Sequence, residues 1–293
     1  MSGIIEVYVV NAFVEDNRGG NPAGVVINGT SLTEPQMQSI AAELGYSETA
    51  FILPSKKADY RVRFFTPTNE VDFCGHATVG AFATLFHLGK IDAGEYTQQT
   101  GAGILKVEVS PEGRITMQQV LPQFGDEYAA EDVAKLLGLS AEDILATGLP
   151  VQAVSTGLMD VIVPVTDERQ LLEMTPDLEA IKAFNARTKT GALHVFALTP
   201  TESDISAKCR NFAPLLGIDE ESATGSAAGA LASYLHIFQG GKYRYLFEQG
   251  ELLNRRSLLW ASVDSDGGKI TAVQVGGLSD KPQRIPFRLE ADA

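Results

Sequence analysis

Two stretches of this chain set groups able to move protons or hold anions beside a glycine that opens a helix. Val62-Arg-Phe-Phe-Thr-Pro67 runs through a loop into Cys74-Gly-His-Ala-Thr-Val-Gly-Ala81, and Cys209-Arg-Asn-Phe-Ala-Pro214 runs into Thr224-Gly-Ser-Ala-Ala-Gly-Ala230. A helix start offers unpaired N–H groups and the positive end of its dipole, so Gly75, Thr224, Gly225 and Ser226 can hold a small anion without a metal. His76 follows Gly75 at such a start, where an imidazole can meet a bound ligand. Glu48 stands between a helix stop at Gly45 and the apolar run Thr49–Leu53, which puts a carboxylate at the lip of a core. A partly desolvated carboxylate there suits general acid–base work; the pattern fits a capped surface turn equally well.

Other chemistries lack their residues. The chain has no G-x-x-x-x-G-K-[ST], G-x-S-x-G or H-E-x-x-H, and Gly101-Ala-Gly103 lacks the third glycine of a dinucleotide loop. Histidines 76, 87, 194 and 236 show no metal-ligand spacing, and Cys74 and Cys209 belong to no C-x-x-C pair, so no cofactor and no metal are expected. His87, His194 and His236 read as structural histidines in apolar surroundings.

The elements that must position these groups are mostly strands. Ile4–Phe13, Ala23–Ile27, Thr49–Leu53, Tyr60–Thr66, Leu105–Val109 and Arg114–Gln119 alternate or run apolar in the first half. Val151–Ser155, Asp160–Val165, Leu193–Leu198, Lys242–Phe247, Leu258–Val263, Ile270–Val275 and Arg284–Leu289 do so later. Thr33–Leu44 has a capping residue, Pro35 and a stop at Gly45, the marks of an amphipathic helix. His76–Leu88 and Ser226–Phe238 are apolar nearly all round, as expected of helices enclosed by sheet. Glu131–Leu137 and Pro176–Asn185 read as surface helices, and Asn28-Gly29 as a hairpin turn. Broken periodicity at Gln119–Asp126 marks a boundary, so the expected domains are 1–118, joined by 279–293, and 119–278.

With 23 basic against 37 acidic residues, a formal charge of −14 argues against nucleic acid and against an anionic membrane surface as partners. No stretch reaches the roughly 20 apolar residues of a membrane span, and the start has no basic, apolar signal pattern, so a cytoplasmic location is expected. The two helix starts lead to the expectation of a small anionic metabolite as partner, which the resemblance below narrows to a small carboxylate-bearing metabolite, with a homodimer the base-rate assembly.

Gly20-Asn-Pro-Ala-Gly-Val25, Ser47-Glu-Thr-Ala-Phe51, Phe65-Thr-Pro67, Phe73-Cys-Gly-His-Ala-Thr78, Arg210 with Phe212-Ala-Pro214, and Gly217-Ile-Asp-Glu-Glu-Ser-Ala-Thr-Gly-Ser226 together resemble the phenazine-biosynthesis PhzF-like isomerases from about Asn11 to Gly277. The resemblance implies the diaminopimelate-epimerase-like fold: two pseudo-symmetric α/β domains, each a curved, mostly antiparallel sheet wrapped around a central helix, with the site in the cleft between them. It puts the family's catalytic glutamate on Glu48, its histidine and preceding glycine on His76 and Gly75, and its second-domain serine on Ser226. The family's usual E-D-P-A-T-G-S is here Glu220-Glu221-Ser222-Ala223-Thr224-Gly225-Ser226, so Glu221 stands for an aspartate and Ser222 for a proline.

The expected activity is a cofactor-independent isomerisation by acid–base proton shift on a small carboxylate, with Glu48, His76 and Glu221 as the catalytic set. Related racemases use two cysteines, one at each helix start. Here Thr224 occupies the second place, and its hydroxyl is far too weak an acid at neutral pH. An amino- or hydroxy-acid racemase with atypical bases and a non-catalytic small-molecule binding protein are the alternatives.

Overall fold

In the computed structural model, which describes residues 4–288, the chain divides into two units: residues up to Gln118 with those from Gly276 onward, and Gln119–Val275. Leu289, the expected end of the last strand, lies outside the described residues.

Unit 1 contains β1 (Ile4–Ala12), β2 (Asn21–Val26), α1 (Glu34–Leu44), β3 (Thr49–Leu53), β4 (Tyr60–Phe65), β5 (Glu70–Val71), α2 (Gly75–His87), β6 (Gly94–Thr100), β7 (Gly103–Val109) and β8 (Ile115–Gln118), and the strand Gln283–Arg288 pairs with β1. The pairing is antiparallel except between β2 and β3 and between β4 and β6. The parallel β2–β3 pair needs a crossover, and α1 supplies it. Asn28-Gly29 is therefore no hairpin turn: it opens a 3₁₀ turn, Gly29–Ser31, on the way into α1.

α1 starts where its capping box predicts, with the Thr33 N–H donating to Gln36 Oε1 at 2.9 Å, and stops at Gly45 in the left-handed region. Its buried face, Met37, Ile40 and Ala41, packs on Val26, Phe51 and Phe65. The opposite face of the sheet closes on α2, whose residues from His76 to Leu85 are all buried and which touches β1, β2, β3, β7 and β8. Each large apolar side chain enclosed this way contributes roughly 1.5–3 kcal/mol. Gly80 lets the strands come close: a Cβ there would lie 2.9 Å from Val10.

Unit 2 repeats the plan with β9 (Gln123–Tyr128), α3 (Ala130–Leu137), α4 (Glu142–Leu145), β10 (Val151–Ser155), β11 (Met159–Val165), α5 (Glu168–Glu173), α6 (Leu178–Thr188), β12 (Leu193–Leu198), β13 (Ala207–Ala213), β14 (Ile218–Glu221), α7 (Gly225–Phe238), β15 (Arg244–Gln249) and β16 (Ser257–Asp266). Its pairs are again antiparallel apart from β11–β12 and β13–β15. Val161, Val163, Val165, Leu193, Val195 and Phe212 turn one face of this sheet toward α3, α5 and α6. The other face closes on α7, where Phe196 meets Tyr234 edge-on at 5.8 Å. Both units thus have mixed α/β architecture with a buried, small-residue helix against a mostly antiparallel sheet.

Candidate active site

In unit 1 the functional groups gather at the start of α2. Cys74 is the extended residue before the helix (φ −143°), Gly75 is its first residue, and His76 is nearly fully buried. Glu48 comes from the loop that enters β3. That loop is anchored by the Gly24 N–H, which donates to the Glu48 carbonyl at 3.2 Å. Gly24 has to be small: a Cβ would lie 2.7 Å from Thr49 Oγ1 and 2.9 Å from Leu44.

The loop and the helix start bring four side chains together. His76 Nε2 lies 3.2 Å from Glu48 Oε2 and 3.2 Å from Ser47 Oγ, and Nδ1 lies 3.4 Å from Cys74 Sγ. The Glu48–His76 approach is not directed as a hydrogen bond, and Oε2 is buried without a hydrogen-bond partner. A buried carboxylate oxygen that keeps a lone pair uncommitted is suited to accept a proton from a ligand. The donor atoms of Glu48, Cys74 and His76 all lie within 4.8 Å of one another, a set that could also ligate a divalent ion. Spacing along the chain hid that set, because Glu48 reaches it from a distant loop.

In unit 2 the start of α7 is held more tightly. Glu221 closes β14, and its Oε2 accepts from the Thr224 hydroxyl at 2.6 Å. Gln249, from β15, ties the loop from below: its Nε2 donates to the Glu221 carbonyl at 2.7 Å and to Thr224 Oγ1 at 3.1 Å, while its Oε1 accepts from the Thr224 N–H at 3.2 Å. Thr224, expected to bind substrate, therefore has both its N–H and its hydroxyl proton engaged within the unit. Gly225 and Ser226 form the first turn, and the Thr156 hydroxyl donates to the Ser226 carbonyl at 2.9 Å. Ser222, which stands where the family has proline, is buried, and the left-handed turn at Gly250 presses its backbone against it.

Arg210 serves the opposite face of the sheet. It grips Glu220 through two bonds of 2.9 and 2.8 Å, donates to the Leu171 carbonyl at 3.1 Å, and lies over the Phe212 ring. His236 is structural as expected, with Nδ1 3.0 Å from the Lys242 carbonyl. Cys209 is fully enclosed, and burial pushes its thiol well above the usual range.

Sequence reasoning gave no role to Asp160, which is fully buried with neither oxygen in a well-aligned hydrogen bond, the Ala192 N–H nearby included. Burial, reinforced by the negative charge of Glu221, raises its pKa well above the carboxylate range, against a smaller opposing effect of the Ala192 N–H. Gln249 was also missed as a site residue.

Comparison with known proteins decides the family. The model of the phenazine biosynthesis-like proteins matches residues 10–280. The chain belongs to that family. It is 35% identical to an uncharacterized isomerase of Clostridium acetobutylicum, over 92% of this chain and 94% of that one. It is 30% identical to the trans-2,3-dihydro-3-hydroxyanthranilate isomerase of Pseudomonas aeruginosa, again over 92% and 94%. A PhzF-family crystal structure from Bacillus anthracis superposes with a TM-score of 0.87 at 31% identity, covering 97% and 99% of the two chains. The protein is thus a PhzF-family isomerase. Among its described residues no helix is long and apolar enough to cross a membrane.

Proposed function

We propose that this PhzF-family protein shifts a proton between two carbons of a small carboxylate, with Glu48 as the proton carrier. The observation that carries the reading is the buried, hydrogen-bond-free Glu48 Oε2, held 3.2 Å from the buried His76. Glu48 takes a proton from carbon and returns a proton elsewhere on the same face, after exchange with solvent on the carboxyl, which one carboxylate can do if desolvated and correctly placed. His76 orients a substrate amino or hydroxyl group, and the N–H groups at the start of α2 offer a berth for the substrate carboxylate.

In unit 2 the first turn of α7 offers Gly225 and Ser226 as donors and Glu221 as an acceptor, groups suited to a substrate carboxylate and a substrate amino or hydroxyl group. The Pseudomonas relative's named substrate, trans-2,3-dihydro-3-hydroxyanthranilate, carries all three kinds of group and is the first compound to test. Incubating the protein with it in heavy water should give a rearranged product that carries solvent deuterium at carbon. Neither rearrangement nor exchange with this compound or a panel of amino- and hydroxy-carboxylates would defeat the reading.

One observation favours a second reading. Cys74 Sγ lies 3.4 Å from His76 Nδ1, a thiol–imidazole contact of the kind that generates a thiolate base. Under that reading the protein exchanges the α-proton of an amino or hydroxy acid through Cys74. Loss of exchange in a folded Cys74→Ser variant, with Glu48→Gln still active, would select it.

A further inference from the structure

The two units repeat each other in register, and the repeat shows what unit 2 has added. In unit 1 Val25 pairs with Ala50, Ala50 with Phe64, and Phe64 with Val71 across β2, β3, β4 and β5. In unit 2 the same ladder positions pair Ile162 with His194, His194 with Asn211, and Asn211 with Glu221 across β11, β12, β13 and β14. Two residues before Val25 and Ile162, on the same faces, stand Ala23 and Asp160. The row beneath α2 is thus Val25, Ala50, Phe64 and Val71, and the matching row beneath α7 is Ile162, His194, Asn211 and Glu221, with Asp160 two residues before Ile162 where unit 1 has Ala23. Four places on this face that are apolar in one copy of the plan are polar in the other.

A buried polar row is unfavourable unless its members are satisfied or used. His194 Nδ1 lies 3.0 Å from Asn211 Oδ1, which can only accept, so the ring proton sits on Nδ1 and Nε2 is a bare acceptor. That Nε2 is buried without a partner, as are both Asp160 oxygens. Burial holds His194 neutral by lowering its pKa to about 4. Glu221, half-buried at the end of the row, is the charged group acting on Asp160, while Arg210 and Glu220 pair on the other face. Asn211, the ladder partner of Glu221, is in turn fixed by His194.

We propose that Asp160 and the His194–Asn211 pair are positioning residues for Glu221, setting the direction and charge of the acid at the start of α7 and so how firmly it holds a substrate group. The proposal rests on the reading of Glu221 as a substrate-binding acid. It also explains why the start of α7 carries a carboxylate where the start of α2 has only Val71 at the matching place.

The unit 1 residues supply the natural replacements, since Ala23 and Ala50 occupy these places in the same backbone plan. Asp160→Ala and His194→Ala should raise KM for trans-2,3-dihydro-3-hydroxyanthranilate about tenfold with kcat changed less than about threefold, the scale of one weakened hydrogen bond to a charged group. Asp160→Asn, neutral and of the same shape, should restore KM. Unchanged KM in the folded alanine variants, or failure of asparagine to restore it, would overturn the proposal. A second measurement needs no turnover. In the ligand-free protein, the Asp160 carboxyl followed by carbon-13 NMR should titrate lower by about half a pH unit or more in Glu221→Gln than in the wild type. An unchanged midpoint would overturn the proposal whatever the activity. If the wild type leaves this compound and the panel of amino- and hydroxy-carboxylates untouched while the midpoint moves, the proton-shift reading has failed and the row stands.

Discussion

Two glycines of unit 2 share one backbone conformation and differ only in what surrounds them, which makes the loop beneath Glu221 open to a controlled test. Gly217 has φ +81° and Gly250 φ +82°. A Cβ at Gly217 would meet nothing within 4 Å, whereas at Gly250 it would lie 2.5 Å from the Arg255 carbonyl oxygen and 2.7 Å from that of Ser222. Gly217→Ala therefore carries only the cost of a left-handed alanine, about 1 kcal/mol. Gly250→Ala adds two backbone collisions that cannot be relieved by rotating a side chain, and strain of that kind costs a further 1–3 kcal/mol or so. Urea unfolding followed by fluorescence should show Gly250→Ala less stable than Gly217→Ala by about 2 kcal/mol. Because the displaced backbone belongs to Ser222, Gly250→Ala should also raise KM, and Gly217→Ala should not. Equal losses of stability would refute the argument that close approach, rather than φ alone, requires glycine at 250.

Further outcomes follow from the same structure. His194 has a lowered folded-state pKa, so the unfolded chain binds its proton first and stability falls as pH drops from 6.5 toward about 4, by about 3 kcal/mol in all; His194→Gln should flatten that part of the unfolding curve, and an unchanged slope would contradict it. Arg210→Met leaves the Glu220 carboxylate largely buried without its guanidinium and should cost about 3 kcal/mol in chemical denaturation, with Arg210→Lys recovering only part because it cannot reproduce the two-bond grip. Cys74→Ser should keep turnover within about tenfold, or roughly 1.4 kcal/mol of barrier, and a larger loss in a folded variant would support the thiol reading.

Local signals on the chain were read well where local physics decides. Thr33, Pro35 and Gly45 bound a helix that runs from Glu34 to Leu44, and the apolar stretches after Cys74 and Thr224 became the buried helices Gly75–His87 and Gly225–Phe238. Glu48 and His76 could be singled out from their neighbours, and the structure brings them within 3.2 Å. What stayed hidden depends on pairing over long distances. Gly94–Thr100 is too polar to announce a strand, and the broken periodicity at Gln119–Asp126 hides the start of Gln123–Tyr128, which pairs with β10. The Asn28-Gly29 signal was outweighed by a parallel pairing that demands a helix. His194 looked like an ordinary core histidine because Asn211, which faces its Nδ1, and Asp160, on the same sheet face, come near it only through the register of three strands.

The central claim is that Glu48 carries the proton. Its most direct test is deuterium incorporation into trans-2,3-dihydro-3-hydroxyanthranilate in heavy water by Glu48→Gln, alongside calorimetric binding of the same compound. The amide keeps the shape of the side chain but cannot shuttle a proton, so binding should persist while rearrangement and exchange fall by about 10²-fold or more. Exchange at the wild-type rate in that variant would contradict the account.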